Sequence, residues 1–199
     1  MSMDLFTPYG DNLLPFDGEV CYFGKIVPGA DHYLQALLEN IPWTSDEAII
    51  NGQRITTKRQ VAWYGNERYA YTYSGTTRHA LPWISELISL RALAEEKSGV
   101  AFNSCLLNLY RDGSEGMSWH SDDEASLGHN TTIASLSLGA ARPFSLKHKQ
   151  TRQTRTIVLE HGSLLVMRGT TQTHWWHSVP KSVKIVRPRV NLTFRTIVG

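Results

Sequence analysis

Residues 189–197 read RVNLTFRTI, and this short alternation decides the class of fold. Val190, Leu192 and Phe194 alternate with Arg189, Asn191, Thr193 and Arg195. In an extended chain successive side chains point to opposite sides, so one face of this strand is apolar and the other polar. A polar face meeting only water has no need of two arginines six residues apart. At strand rise their Cα atoms stand about 20 Å apart, and long side chains leaning together would clamp a small dianion end to end. The guanidinium fork suits that task because it binds a carboxylate through two parallel N–H bonds.

Everything between Gly99 and this strand reads as further short strands: FNSCLLNLY (102–110), TTIASLSL (131–138), TIVLE (156–160), SLLVMR (163–168) and HWWHSV (174–179). Turn-rich pieces such as RDGSEG and EHG separate them. Earlier, AIINGQRITTKRQVAWYG (48–65) holds an Asn51-Gly52 turn between two extended runs, a strong hairpin signal. Two segments carry helical spacing instead. In residues 31–41 Leu34, Leu37, Leu38 and Ile41 fall at i, i+3, i+4, i+7 ahead of Pro42. In residues 81–99 Trp83, Leu87, Leu90 and Ala94, with Ile84 and Ile88, form the apolar side; Pro82 suits the first turn and Gly99 the stop. Helices followed by many short strands predict an α+β domain with a jelly-roll or cupin-like β core.

The bulk numbers bound the function. At 199 residues, with 41% hydrophobic and 10% aromatic content, the chain has the size and composition of one folded domain. No run of about 18 apolar residues predicts a membrane span. The first residues offer neither a basic n-region nor an apolar h-region, so export is not expected. Two cysteines, Cys21 and Cys105, make no disulfide framework. A reducing compartment is expected, cytoplasmic or, in a eukaryote, nuclear. The net charge of +2 is small, but eleven of the 20 Lys and Arg residues fall between Arg142 and Arg195. The cluster KHKQTRQTR at 147–155 reads either as a solvated hairpin or as a surface for phosphates.

The segment SWHSDDE (118–124) crowds three carboxylates beside an imidazole. On an extended chain His120 and Asp122, at i and i+2, project to the same side. One imidazole and one carboxylate need a second imidazole to complete the two-histidine, one-carboxylate set of non-haem Fe(II) oxygenases. His174 and His177 are candidates; three residues apart on a strand they face opposite sides, so at most one joins, and spacing alone does not choose. His129, His148 and His161 lie in polar or turn-like contexts and read as surface groups. Zinc hydrolysis is the competing chemistry, but it leaves the paired arginines unexplained.

Taken in order, AWYG…YAYTYSG, NLYRDGSEGMSWHSDDE, IASLSLGAARPF, EHGSLLVM, HWWHSVP and PRVNLTFRTI resemble the AlkB family of Fe(II)- and 2-oxoglutarate-dependent nucleic-acid dealkylases. The likeness runs from about residue 40 to the C-terminus and is nearest to the branch that demethylates DNA and RNA. It implies one domain over 1–199: a double-stranded β-helix core at 100–199, N-terminal helices, and a β-hairpin nucleotide-recognition lid at 45–80. It implies iron on His120, Asp122 and His177. By the same resemblance Arg189, with Asn108 and Tyr110, grips the distal carboxylate of 2-oxoglutarate. Arg195 and Asn191 take the other end, and Thr193 lies between them.

The implied chemistry consumes O2 and 2-oxoglutarate and hydroxylates an N-methyl group, which leaves as formaldehyde. Tyr73 is then the aromatic wall facing His120, Tyr71 lies near the base, and Glu124 meets the edge of a flipped 1-methyladenine or 3-methylcytosine. Asp123 orients neighbouring groups or faces solvent. Family members that work on duplexes carry an apolar or aromatic wedge at a hairpin tip. Here that tip is Ile50-Asn51-Gly52, which points to single-stranded DNA or RNA. Arg54, Lys58, Arg59, Lys147, Lys149, Lys181 and Lys184 are candidate phosphate contacts, and a monomer is expected. Two other readings remain: the same chemistry on a protein, lipid or small molecule, and a non-catalytic binding module on this scaffold.

Overall fold

The structure is a computed structural model. It describes the backbone of residues 10–50, 53–73 and 76–198, and the side chains among these except 46–50, 53–55, 71–73 and 76–78. In chain order the elements are β1 (Glu19–Lys25), α1 (Ala30–Asn40), β2 (Thr44–Ile50), β3 (Gln53–Gly65), β4 (Ala70–Tyr73), β5 (Thr76–His79), α2 (Ser85–Ser98), β6 (Ser104–Tyr110), β7 (Met117–His120), β8 (Ile133–Gly139), β9 (Arg142–His148), β10 (Thr154–Leu159), β11 (Ser163–Arg168), α3 (Thr171–His174), β12 (Trp175–Val179) and β13 (Arg189–Arg195).

The strands β6 to β13 divide between two facing sheets. One sheet runs β1-β11-β8-β13-β6-β3-β2 and the other β10-β9-β12-β7. Along the chain the path crosses repeatedly from one sheet to the other, which is the winding of a double-stranded β-helix, or jelly roll. A separate two-stranded ribbon, β4-β5, carries the YAYTY run.

Both faces of β13 are buried, for different reasons. Val190, Leu192 and Phe194 face the helices, where they join Leu37, Ile41, Leu87, Leu90 and Ala94 in the larger core. Burying such side chains contributes roughly 1.5–3 kcal/mol each. Arg189, Asn191 and Thr193 are also buried, on the face between the sheets. A smaller core, with Phe144, Leu146, Leu165, Met167 and Trp175, fills the rest of that interior.

Local details differ from expectation in several places. The helical spacing predicts α2 from Pro82, but the helix begins at Ser85. Leu81 is held extended because its N–H donates to Trp63 O and its carbonyl accepts from Gly65 N–H. The helix ends as predicted, at Gly99 with φ 71° and its N–H on Glu95 O. The basic run at 147–155 contains the end of β9, a strand not read from the sequence. There His148 is 1% exposed, in the interior rather than at the surface. The Asn51-Gly52 turn lies outside the described residues; its flanks are paired, with Ile50 opposite Gln53.

Candidate active site

His120 ends β7 and His177 lies in the middle of β12, and the two are direct partners across this antiparallel pair. Cross-strand partners stand closer than any other residues on neighbouring strands, and the ring centroids are 4.2 Å apart. Asp122 follows β7 by two residues. Its Oδ1 lies 3.6 Å from His120 Nε2 and 3.8 Å from His177 Nε2. The three donor atoms all lie within 4.8 Å of one another, close enough to share one ion. His174 is not part of this group: it ends α3, and the chain turns between it and β12.

The surroundings fix each donor. His120 Nδ1 is 2.8 Å from Ser118 O, so that nitrogen carries the proton and Nε2 keeps its lone pair toward Asp122. His177 is stacked on Phe144 with 5.4 Å between centroids. Burial pushes the His177 pKa down to about 3, so the ring is neutral, the form a metal requires. Asp122 is 5% exposed. Burial opposes its charge, but Arg195 and the two histidines hold its pKa below the ordinary carboxylate value. Its Oδ2 accepts a 2.6 Å hydrogen bond from Arg195 Nη2, which leaves Oδ1 for the histidine side. Gln172 Oε1 accepts from the Asp122 N–H at 3.0 Å and anchors the backbone at that turn.

From these donors a cavity of about 1120 Å³ extends along β13, and Asn108, Tyr110, Asn191, Thr193 and Arg195 line it. On β13 and β6, Arg189 pairs with Tyr110 and Asn191 with Asn108, so the polar residues of both strands share one face. Arg189 stands beyond the lining, 5.4 Å from the Tyr110 ring centroid, with Arg142 5.5 Å from the same ring. Arg189 Nη2 donates to Ser137 Oγ at 2.8 Å, while its Nε and Nη1 have no hydrogen-bond partner. Burial lowers its pKa to about 10, so it stays cationic at neutral pH. Arg195 Nε is likewise buried and unpartnered. Burial opposes the Arg195 charge, but Asp122 and Glu124 outweigh it and raise the pKa.

Unpaired buried N–H groups cost about 1–3 kcal/mol each. Here they belong to arginines at the two ends of one polar row, and a dicarboxylate between them would satisfy both. The residues therefore fit an Fe(II) ion on the three donors and 2-oxoglutarate in the slot.

The remaining sequence candidates divide. Glu124 is exposed and lines the cavity mouth. Asp123 is exposed, does not line the cavity, and lies 4.0 Å from Lys149 Nζ. Arg59 lines the cavity, with Nη1 against Met117 Sδ at 2.8 Å. Lys149 donates to Gln172 O at 2.8 Å, and Lys147 sits 4.2 Å over the Trp119 ring. Lys58, Lys181 and Lys184 are exposed. The side chains of Arg54, Tyr71 and Tyr73 lie outside the described residues.

Sequence reasoning missed Ser135 and Ser137, whose hydroxyls hold Asn191 Nδ2 and Arg189 Nη2. The alternation in IASLSLG would have found them, since it places both serines on one face. Gln172 and Arg142 carried no local signal. Arg142 is fully buried and donates to the carbonyls of Asp112, Glu115 and Pro180, tying together the loops at one end of the slot.

Two imidazoles and a carboxylate at the wall of a jelly roll, with open coordination positions toward a slot, define a class: the mononuclear non-haem iron oxygenases. The chain belongs to the 2OG-Fe(II) oxygenase superfamily, whose family model matches residues 27–195. Within it the chain falls in the AlkB-homologue branch. It is 42% identical over 181 residues to alpha-ketoglutarate-dependent dioxygenase alkB homolog 3 of Homo sapiens, covering 86% of this chain and 63% of the relative. The same protein of Mus musculus is 42% identical over 178 residues, covering 84% and 62%. DNA oxidative demethylase ALKBH2 of Homo sapiens is 39% identical over 186 residues, covering 88% and 70%. The chain thus spans about three fifths of the length of the alkB homolog 3 relatives. A solved structure of OsALKBH1 superposes with a TM-score of 0.61 at 16% identity, covering 96% of this chain and all of that one, a likeness of fold. Among the described residues no helix is long and apolar enough to cross a membrane.

Proposed function

We propose that this chain is an Fe(II)- and 2-oxoglutarate-dependent dioxygenase that removes N-methyl groups from nucleic-acid bases. The lesions are of the 1-methyladenine and 3-methylcytosine type, in DNA, single-stranded by preference, and in RNA. One observation carries the reading. The His120-Asp122-His177 donors and Arg195, with its open Nε–H, line one cavity of about 1120 Å³, and Arg189, with open N–H groups of its own, stands just beyond that lining beside Tyr110. The names of the relatives, an alpha-ketoglutarate-dependent dioxygenase and a DNA oxidative demethylase, support it.

When bound, iron and 2-oxoglutarate supply the oxidation of an N-methyl carbon by O2, leaving succinate, CO2 and, once the hydroxymethyl group departs, formaldehyde. His120, Asp122 and His177 would hold the iron, and the remaining work falls to the rest of the chain. Arg189 and Arg195 orient the dicarboxylate through charge-assisted bonds. Met117, Phe144, Met167 and Val179 line the same cavity and exclude water from the reacting carbon. A methylated base must leave its stack to enter, and its cationic ring is drawn by the Glu124 carboxylate at the mouth, which also accepts from an exocyclic amine. The reading carries with it a monomer acting in the cytoplasm, or in the nucleus of a eukaryote.

The test is anaerobic loading with Fe(II) and 2-oxoglutarate, then O2 and oligonucleotides bearing 1-methyladenine or 3-methylcytosine, followed by mass spectrometry. Loss of one methyl with stoichiometric succinate and formaldehyde is expected. Succinate without base change would move the substrate to a protein, lipid or small molecule. No succinate with any substrate would overturn the enzyme reading.

A further inference from the structure

The Glu160-His161-Gly162 turn joins β10 to β11, and neither the iron donors nor the slot gives it a role. β11 pairs with β8 as far as Ser163 opposite Ser137, and the same register carried two residues further sets His161 opposite Gly139. Gly162 N–H still donates to Ser137 O at 2.8 Å. The next bond is made by a side chain instead: Gly139 N–H donates to His161 Nδ1 at 2.8 Å. The imidazole thus stands in for the carbonyl that a longer β11 would have supplied. An accepting Nδ1 leaves the ring proton on Nε2, which faces Asp31 Oδ1 of α1 at 3.2 Å.

On its other flank Gly139 meets Arg189. The two are partners across β8 and β13, and Gly139 has φ 92°, a conformation open chiefly to glycine. A Cβ at this position would collide with Pro188 O and crowd Arg189 Cα. Ala140 N–H donates to Pro188 O at 2.8 Å and holds the two backbones together. The Arg189 side chain is tied to the same strand, its Nη2 donating to Ser137 Oγ. Backbone and guanidinium of Arg189 therefore both rest on residues 137–140, and His161 Nδ1 and Gly162 N–H fasten that stretch from behind.

We propose that His161 is a positioning residue for capture of 2-oxoglutarate: its Nδ1 holds the end of β8 that sets Arg189 toward the distal carboxylate. The inference rests on the reading of Arg189 as the anchor of that carboxylate. An N–H left without an acceptor in the interior seeks another partner, and here that shifts the strand end on which Arg189 is packed. The iron donors belong to the facing sheet, on or just beyond β7 and β12. The effect falls on co-substrate affinity and spares the metal. Asparagine places an accepting Oδ1 near the Nδ1 position, whereas phenylalanine fills the space of the ring and accepts nothing.

The experiment measures 2-oxoglutarate binding by calorimetry to protein loaded with Mn(II), and KM and kcat from succinate release with Fe(II). The chains compared are the unaltered one, His161→Phe, His161→Asn and Asp31→Ala. His161→Phe should weaken binding and raise KM about tenfold, the order of one lost hydrogen bond, with kcat nearly kept and Mn(II) affinity unchanged. His161→Asn should return both values nearly to those of the unaltered chain. Asp31→Ala keeps the Gly139 bond and should leave them alone. Unchanged 2-oxoglutarate affinity in His161→Phe would overturn the proposal, as would an asparagine variant as weak as the phenylalanine one. An equal loss in Asp31→Ala, or a parallel loss of Mn(II), would reduce His161 to packing and overturn it too. Should the phenylalanine variant not fold, His161→Ala takes its place in the comparison. Full affinity in Arg189→Lys would sink the slot assignment and this role with it, whereas the His161 outcomes bear on the role alone.

Discussion

Replacing Asp122 by alanine tests the electrostatics of the site apart from its catalysis. Asp122 is 5% exposed and its Oδ2 receives the 2.6 Å hydrogen bond of Arg195 Nη2. Arg195 Nε has no hydrogen-bond partner, so the variant leaves a guanidinium in the interior with only the exposed Glu124 carboxylate to offset its charge. Removing one member of a buried ion pair costs about 3–5 kcal/mol, because the stranded charge remains desolvated. For a chain of this size each kcal/mol lowers the thermal midpoint by about 2–4 °C, so a fall of about 6–20 °C is expected. The measurement is thermal unfolding of metal-free protein at pH 7.5 with chelator present, followed by circular dichroism. The pair Asp122→Ala/Arg195→Met removes both charges and should recover at least half of the loss, since the coupling belongs to the pair. A single variant melting within about 2 °C of the unaltered chain would refute the reasoning. So would a double variant no better than the single. Oxidative turnover is expected to vanish in both.

Three further outcomes follow from particular contacts. Arg189→Lys loses the fork that would meet a carboxylate. The KM for 2-oxoglutarate, read from succinate release, should rise about 10- to 100-fold with kcat nearly kept, in line with about 1.5–3 kcal/mol for bonds to a charged group; an unchanged KM would contradict the slot. The His177 pKa of about 3 in the folded chain lies below the ordinary 6.5, so the unfolded state takes up a proton that the folded state refuses. Stability is then full above pH 6.5 and falls with acid, by about 2 kcal/mol between pH 7.5 and 5 from this group. Urea unfolding of the metal-free protein at both pH values measures it, and His177→Phe should flatten the difference. Arg142→Ala strips three carbonyls of their donor and should cost about 3 kcal/mol. Amides at 112–116 and near 180 should then exchange first in hydrogen-exchange mass spectrometry, and unchanged exchange there would contradict the tie.

Much of this was legible where the signal is periodic. Leu37, Ile41, Leu87, Leu90 and Ala94 fall on the buried side that 3.6-residue spacing predicts, and β13 alternates as period 2 requires. His120 and Asp122 project together for the same reason. What escaped depends on distant partners. In β9, Arg142, Phe144, Leu146 and His148 are all buried, yet an arginine, a proline and a histidine in seven residues read as surface. Arg142 is tolerated inside only because carbonyls from residues 112, 115 and 180 converge on it, a fact that no local window contains. The strand β1 is similar: Glu19, Gly24 and Lys25 weaken its pattern, and its pairing with β11 forms it. The choice between His174 and His177 turns on a helical turn at 171–174 that spacing on an assumed strand does not reveal.

The double burial of β13 has an evolutionary corollary. Because one side of the strand is core and the other is wall of the slot, a mutation there is penalised twice, once in folding and once in co-substrate capture. Drift is left to the mouth, where Glu124 and Arg59 reach the cavity from outside the eight jelly-roll strands. On the proposed function, a chain built on this scaffold could exchange one substrate for another at that rim while the residues beneath stay fixed.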